Sequence, residues 1–523
     1  MTLRFLPAGD QALLVELADL DTVLSLFASL TADPPQGVLE LVPAARTLAV
    51  TYDRHRITAT ALAQQIARRD LSVRPGTKGR EIEIPVTYDG QDLAEVARLT
   101  GLTEMEVIAR HTGTLWQAAF NGFAPGFCYL TGGDPALAVP RRESPRSAIP
   151  AGSVALAGPF SGVYPQQSPG GWQIIGTTHM PMWDLGRSPP ALIAPGDRVR
   201  FVDRPGHRGA TPAKAASLTP AAPPARLDVI AAPLPVLFQD GGRPGQLSQG
   251  IAASGAADKG AFRALNRLLG NPASAAALEL GAGPLTLCAT ASCTLALTGG
   301  DRRITLNGNT EVAAGQPFAV DPGDEIAFGG PRSGCYSYLG VRGGFAITPV
   351  LGSSATDTLA HIGPEPVRAG GWIGLASRPA QPIGPADPAA DLPQTGSVVV
   401  IDVVPGPRTD RFSANTFARF LAGEWLVTPQ SSRIGKRLEG PDRLLRDDQH
   451  ELPSEVTMTG AIQIPHAGQP VLFLADHPLT GGYPVIATVA AHHLDLAAQI
   501  PPGAKIRFRA LAHFSPITPE VSR

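Results

Sequence analysis

Glycine and proline interrupt this chain about once every five residues, with 57 glycines and 52 prolines spread over 523 positions. Proline removes a backbone donor and breaks a helix interior, and an internal glycine costs a helix about 1 kcal/mol relative to alanine. Long helices and coiled coils are therefore excluded as the main architecture. Charged residues supply only 17% of the chain, below the usual share of about 25%, so little of the Lys/Glu surface of solvent-facing helices is present. Hydrophobic residues reach 43%, enough for several cores. Such a chain suits short strands between tight turns, closed or nearly closed on themselves so that no edge is left unpaired. The expected fold class is mainly β, with an α+β N-terminal domain and several β-barrel domains.

The pattern along the chain divides it. Residues 1–78 read as a small α+β domain: Asp21 is placed to cap a helix over Thr22–Leu30, Leu48–Tyr52 alternates as a strand, and a helix follows over Thr58–Arg69. Residues 79–205 open on the alternating strand Glu81–Val86, pass through a capping box formed by Thr103 and Glu106, and continue as short strands at Ser153–Ala157, Trp172–Gly176 and Asp197–Phe201. That spacing predicts a barrel. Residues 206–226 are rich in Ala and Pro without periodicity and read as a linker. Beyond it, a helix over Ala257–Leu269 stops at Gly270-Asn-Pro, and strands are expected at Ala276–Leu280, Leu285–Cys288 and Thr294–Leu297. A proline-rich stretch near 378–394, ahead of a strand over Val398–Val404, splits this part into 227–385 and 386–523.

Charge and motif content narrow the function. Forty-three basic residues nearly balance 45 acidic ones with no block of either sign, which argues against nucleic acid and anionic membrane partners. Four cysteines without CxxC spacing read as reduced thiols in a cytoplasmic protein. Pro7 and Asp10 interrupt what a signal peptide would need, and prolines break the uncharged run from Ser147 to Trp183, so no spanning helix is expected. No P-loop, no G-x-S-x-G elbow and no H-E-x-x-H occurs. Met180-Pro-Met182 has proline where a biotin carrier has lysine, so the chain carries no biotin, and the scattered histidines give no metal site. Gly352-Ser353-Ser354-Ala355 is a superficial match to the Ser-rich loop of amidases without its glycine-rich surroundings.

What remains is a set of Gly/Pro-framed segments. In the first half these are Phe120-Asn-Gly-Phe-Ala-Pro-Gly-Phe-Cys-Tyr-Leu130, Pro140-Arg-Arg-Glu-Ser-Pro-Arg146, Pro150-Ala-Gly-Ser-Val154, Tyr164-Pro165 and Ser168-Pro-Gly-Gly-Trp172. Aromatics between glycines suit a pocket floor, which nominates Asn121, Phe127, Tyr164 and Trp172 for substrate binding. Arg141, Arg142 and Arg146 either present forked donors to a carboxylate or phosphoryl group or brace neighbouring turns. In the second half, Gln239-Asp-Gly-Gly-Arg-Pro-Gly245 contributes Asp240 and Arg243, and Asp258 and Lys259 fall in the first turn of the expected helix, where Asp258 also serves as a cap. Arg433 lies in Ser431-Ser-Arg-Ile-Gly435. Asp476, ahead of Thr480-Gly-Gly-Tyr483-Pro, is either a general base on a strand-end loop or an aspartate closing its own turn. The catalytic candidates are Asp476, Arg433 and Asp240; the binding candidates of this half are Arg243, Lys259, Thr480 and Tyr483.

Taken together, residues 1 to about 205 resemble the B component of prokaryotic 5-oxoprolinase, also known as allophanate hydrolase subunit 1 and as the sporulation kinase inhibitor family. Residues 227–523 resemble the C component, the allophanate hydrolase subunit 2 or antagonist family, through Ser254-Gly-Ala-Ala-Asp258, Asn266-Arg-Leu-Leu-Gly-Asn-Pro272, Gly435-Lys-Arg-Leu-Glu-Gly440, Gly460-Ala-Ile-Gln-Ile-Pro465 and Thr480-Gly-Gly-Tyr-Pro484. The chain is similar to a fusion of the two. The resemblance implies cyclophilin-like barrels and ATP-dependent opening of the 5-oxoproline lactam to glutamate. It also implies a separate A component as partner, ATP bound there or at the level of the complex, and room for a homo-oligomer. It further suggests that the first-half arginines converge with Asp476 and Arg433 on one pocket. The same folds form the carboxyltransferase part of urea amidolyase-type enzymes, which leaves a biotin-dependent carboxyltransferase working with a carrier in trans as an alternative. A binding protein that inhibits a histidine kinase is the non-enzyme alternative. Departures from the family pattern stand at Ser432 in place of Asp, at His477-Pro-Leu479 in place of Arg-Gln-Thr, and at Thr177–Pro181, where an arginine is lost.

Overall fold

The computed structural model describes residues 3–71, 79–144, 146–206, 222–387, 390–447 and 452–519. The fold is mainly β, 36% strand against 16% helix, in curled half-barrels and a closed barrel. Most of the expected linker, residues 207–221, lies outside the described residues, and Arg226 already opens the strand Arg226–Ala231.

The first sheet orders Arg4–Pro7, Ala12–Glu16, Thr47–Tyr52 and Val38–Pro43, all antiparallel. Its strands read as nearly continuous apolar runs because both faces are covered. Leu13, Val15, Leu48 and Val50 pack on the helices Leu20–Ala32 and Ala59–Ala67, while Leu6, Leu14, Val42 and Ala49 face the aromatic cluster of the next sheet. The first helix starts earlier than its sequence pattern suggests. Asp19, not Asp21, is its cap and accepts from the Thr22 amide at 2.8 Å, leaving Asp21 in the first turn.

The second sheet has seven strands in the order Gln173–Thr177, Ser153–Ala157, Phe160–Val163, Cys128–Thr131, Leu115–Asn121, Arg198–Asp203 and Glu81–Val86. Thr87 and Thr177 exchange two backbone hydrogen bonds of 2.8 Å, joining the two edges. The helices Leu93–Thr100 and Glu104–Gly113 pack beside it, the second opening on the expected Thr103/Glu106 capping box.

The third sheet has nine strands dominated by two long ones, Cys293–Leu306 and Glu325–Val341. The helix Lys259–Leu269 lies against both, capped by Asp258 and stopped by Gly270 at φ 67°. The last sheet is a closed barrel of Val398–Pro405, Val485–Val489, Ala461–Gln463, Val471–Phe473, Gly435–Glu439, Trp425–Val427 and Lys505–Ala510. All four cysteines are free thiols. Among the described residues, no helix is long and apolar enough to cross a membrane.

The sheets share cores. One buried cluster gathers Leu14 and Ala49 from the first sheet and Phe120, Phe127, Tyr129, Tyr164 and Trp172 from the second. Leu247, Val456 and Leu479 join it from the second half. Further ties are Arg408 to Glu16 at 3.0 Å and the bridge between Phe5 and Ile517, whose amide donates to the Phe5 carbonyl at 2.8 Å.

Candidate functional site at the junction of the halves

In the first half the expected pocket floor is a packed core. Phe127 meets Tyr164 and Trp172 edge-on, with ring centroids 5.2 and 5.3 Å apart, and all three side chains are buried. Their area stabilises the contact between sheets instead of lining an open pocket. The three arginines separate. Arg142 and Arg146 both pair with Asp92 at 2.8 Å, and the Ile174 amide donates to the same carboxylate at 2.8 Å. Burial alone would raise the Asp92 carboxyl, but Arg146, the Ile174 amide and Arg142 outweigh it and hold it below its ordinary value. Arg141 turns the other way, donating to Ser454 Oγ at 3.3 Å across the junction, beside Gly482.

In the second half Asp476 and Arg433 are fully engaged with each other and with the third sheet. The buried Asp476 carboxylate accepts from Arg433 Nε and Nη2, both at 2.9 Å, from Ser254 Oγ at 2.6 Å, and from the Thr358 amide and hydroxyl at 2.9 and 2.7 Å. Arg433 also donates to Glu279 at 2.5 Å and to the Gly255 carbonyl at 2.6 Å. Glu279 accepts from Tyr338, whose hydroxyl oxygen accepts from the Asp258 amide, each at 2.8 Å. This network joins the closed barrel to the third sheet and leaves Asp476 no lone pair for a substrate proton. Asp476 therefore acts as an anchor, and the expected convergence with the first-half arginines does not form. Lys259 and Tyr483 are both exposed, Lys259 at the start of its helix and Tyr483 edge-on to His466.

Some of the unsatisfied buried groups lie where the halves meet, and others, such as Thr47 Oγ1, Arg198 Nε and Thr428 Oγ1, lie elsewhere. The loop after Leu115–Asn121 runs against the second half so closely that a Cβ on Gly122 would come within 2.6 Å of Thr480 Cγ2. Gly250, at φ +83°, faces the Ala124 carbonyl, where an added Cβ would sit 3.0 Å from it. Asn121 Oδ1, Gln249 Oε1, Thr480 Oγ1, His477 Nδ1 and two nitrogens of Arg243 are buried without a hydrogen-bond partner. Buried polar groups are normally paired. Arg243 is 1% exposed; only its Nη2 is used, on the Ala355 carbonyl, and burial depresses its basicity. Asp240, another catalytic candidate, is spent on the Gly242 and Ser354 amides and on Ser353 Oγ, at 2.8, 2.6 and 2.7 Å.

Backbone strain clusters in the same region. Phe123, Ser254, Leu351 and His361 take φ between 52° and 66° without being glycine, a conformation that costs of the order of 1–3 kcal/mol and persists where the surroundings enforce it. Asp357 follows the strained Leu351 turn. One of its oxygens accepts from the Leu359 and Ala360 amides at 2.9 and 2.8 Å. Burial, then the Asp476 charge, push its carboxyl up to about 6. Gln166 of the first half donates to the Leu359 carbonyl at 3.2 Å, which puts this loop on the junction. Sequence reading missed Asp357 and Gln249. The Gly-Ser-Ser turn ahead of Asp357 was visible, but strain at Leu351 and His361 has no sequence signal.

One group of possible metal ligands, Asp402, His492 and His493, has its atoms within 4.8 Å of one another. Its donors are committed: Asp402 takes Arg509 Nε at 2.6 Å, and His493 Nδ1 accepts the Asp402 amide at 2.8 Å. The group is an ionic brace.

Sequence comparison with family models and curated proteins matches each half separately. The family described as carboxyltransferase domain, subdomain A and B, matches residues 249–510, and subdomain C and D matches residues 3–193. The chain is 35% identical over 286 residues to the C component of 5-oxoprolinase from Escherichia coli K12, spanning 54% of this chain and 90% of that protein. It is 36% identical over 225 residues to the B component of 5-oxoprolinase from Bacillus subtilis 168, spanning 39% of this chain and 94% of that protein. The urea amidolyase of Saccharomyces cerevisiae is 30% identical over 293 residues, 52% of this chain but 16% of that protein. The crystal structure of TTHA0988 superposes with a TM-score of 0.84 at 34% identity, covering 95% of this chain and 99% of that one. The order of its matched parts and their shared cores make this chain a member of the carboxyltransferase-domain family, with subdomains C and D in its first half and A and B in its second.

Proposed function

We propose that this chain is the fused B and C component of an ATP-dependent 5-oxoprolinase, opening the lactam of 5-oxoproline to L-glutamate together with a separate A component. The observation that carries the reading is that one chain holds counterparts of both of these 5-oxoprolinase components, each over at least 90% of the relative's length, docked through a shared core.

The chemistry explains why several parts are needed. Amide resonance protects the lactam, and phosphorylation of its oxygen by ATP makes the ring carbon electrophilic. Water adds there, the ring C–N bond breaks as the nitrogen takes a proton, and a second water splits the resulting acyl phosphate to glutamate and phosphate. Protein groups must then hold the ring, stabilise the developing oxyanion and manage a proton. Arg243, with Nε and Nη1 both unused, is the candidate for the oxyanion, and Asp357, with its carboxyl near 6, for the proton. The junction cavity, about 190 Å³ and lined by no lysine or arginine, does not fit a nucleotide.

The deciding assay is glutamate release from 5-oxoproline with ATP, using this chain alone and then with a candidate A component. Glutamate formed only in the mixture supports the reading, whereas a stable complex without turnover overturns it. The urea amidolyase similarity favours one second reading, a carboxyltransferase component fed by a biotin carrier in trans. Transfer of carboxyl from carboxybiotin to urea by this chain would establish that reading instead.

A further inference from the structure

A larger open space lies on the closed barrel. It is a groove of about 830 Å³, lined by Val400, by the helix Ala414–Ala422 and by every residue from 507 to 513. The helix contributes Ala414, Phe417, Ala418 and Leu421, spaced i, i+3, i+4 and i+7 as a single apolar stripe. A stripe of this kind ordinarily packs on a core. This helix is instead anchored through Phe420, which stacks on Phe508 in the barrel core with ring centroids 4.7 Å apart. The stripe is left to face the groove.

The strand Lys505–Ala510 offers a sheet edge along the same groove. The amides of Lys505 and Leu511 donate to the Ser397 and Val403 carbonyls at 2.8 and 2.9 Å. Main-chain groups alternate in direction along a strand, so those of Ile506, Phe508 and Ala510 point to the opposite side. There the strand Trp425–Val427 pairs with Lys505 and Ile506, and the ladder stops. Phe508 and Ala510 thus present main-chain donors and acceptors beyond its end, an edge that can take up another strand.

Charge selects the occupant. Arg507, Arg509 and His513 line the groove, and no acid does. Arg507 and Lys505 share Glu424 at 2.5 and 3.1 Å, and Arg509 holds Asp402 at 2.6 Å. Three cations therefore meet two carboxylates, and the outward face of the strand keeps an excess of positive charge.

We propose that this groove docks an extended segment of a partner protein, which adds as a strand beside Phe508 and Ala510, sets apolar side chains against the helix stripe and brings carboxylates to Arg507 and Arg509. This docking does not depend on the 5-oxoprolinase reading.

The test is fluorescence anisotropy on the full chain with a labelled octapeptide of alternating glutamate and valine. Its controls are the same peptide with lysine for glutamate, and two versions N-methylated on every valine or on every glutamate. An added strand turns only one alternate set of its amides towards its neighbour. The glutamate peptide is expected to bind at least tenfold more tightly than the lysine peptide, and one N-methylated version at least tenfold more weakly than the other. Ala418→Trp, which fills the groove from an exposed position, should weaken the glutamate peptide at least tenfold with an unchanged thermal transition. Leu511→Asp, at a residue 52% exposed, places a like charge in the groove and serves where the first variant fails to fold. No binding of the glutamate peptide, equal binding of the lysine peptide, equal binding of the two N-methylated versions, or unchanged binding in a folded variant overturns the proposal. So does a concentration-dependent dimer in sedimentation that Ala418→Trp abolishes, because the groove then belongs to a second copy of the chain. Glutamate release is scored separately, and none of these outcomes decides it.

Discussion

The second sheet and the closed barrel are wired alike. In each, the first and last strands run parallel, Glu81–Val86 beside Arg198–Asp203 and Val398–Pro405 beside Lys505–Ala510. Each has a tryptophan after a helix, donating its indole N–H to the carbonyl five residues earlier: Trp116 to His111 at 3.1 Å and Trp425 to Phe420 at 2.9 Å. Each tryptophan lies under a glycine, Gly133 or Gly440. The difference lies in the charges. The second sheet holds Asp92 with two arginines whose side chains remain 32% and 19% exposed, a local brace. The closed barrel puts Arg433 out of water between two carboxylates of different sheets, so its ion pairs weld one sheet to another. Shared wiring thus leaves the placement of charge free to decide whether a barrel stands alone or depends on its neighbour.

The largest test of this contrast is Arg433→Met. It strands Asp476 and Glu279 without a counter-charge and is expected to cost about 3–5 kcal/mol in urea unfolding. A loss no greater than that of Arg146→Met would dissolve the distinction between weld and brace. Next, Gly133→Ala and Gly440→Ala place a methyl 2.1 and 2.4 Å from the tryptophan rings. Both should lower stability by a similar amount, about 1–3 kcal/mol, and markedly unequal losses would show that the two anchors differ.

A third test uses pH. Burial depresses His111 to about 3 and His477 to about 4. Both are depressed bases, so the unfolded chain takes up protons before the folded one does. Their contribution to stability is full above about pH 6.5 and falls as pH drops towards 4. The expected slope is about 1.4 kcal/mol per pH unit for each histidine. His111 has both nitrogens hydrogen-bonded, to Tyr88 at 2.7 Å and Ser161 at 2.9 Å, whereas His477 has Nδ1 unpaired. Replacing His477 with Gln should flatten the slope with little loss at pH 7.5, while His111→Gln should cost stability at both ends of the range. The smallest effect is expected from Arg146→Met itself, about 1 kcal/mol or less, because Arg142 and the Ile174 amide still hold Asp92.

Much of the fold was legible because local signals agreed with it. The strands Glu81–Val86 and Ser153–Ala157, the Thr103/Glu106 box and the Gly270 stop follow from alternation, capping and left-handed backbone chemistry that neighbours do not override. The Asp19 cap was misplaced by two residues because Asp21 is an equally good acid on sequence grounds, and only the entry angle of the chain separates them. The site was less legible. Arg141, Arg142 and Arg146 look equivalent in sequence, yet one crosses the junction and two close on Asp92, a choice made by tertiary packing. Asp476 has the sequence context of a base, but Arg433 and Ser254 reach it from distant segments. Asn121 was singled out for its glycine-rich frame; that it lines one cavity with Ser248 and Gln249 becomes visible only once the halves are docked.

The single β-bridge between Ile517 and Phe5 has a consequence for assembly. It fastens the far end of the second half to the first sheet, while the covalent chain joins the halves in between, so their encounter is intramolecular. Tethered modules meet at effective concentrations of about millimolar. The junction cavity therefore does not empty on dilution, as the interface of two separate proteins would, and a third protein meets one preassembled object in a fixed one-to-one ratio of its halves.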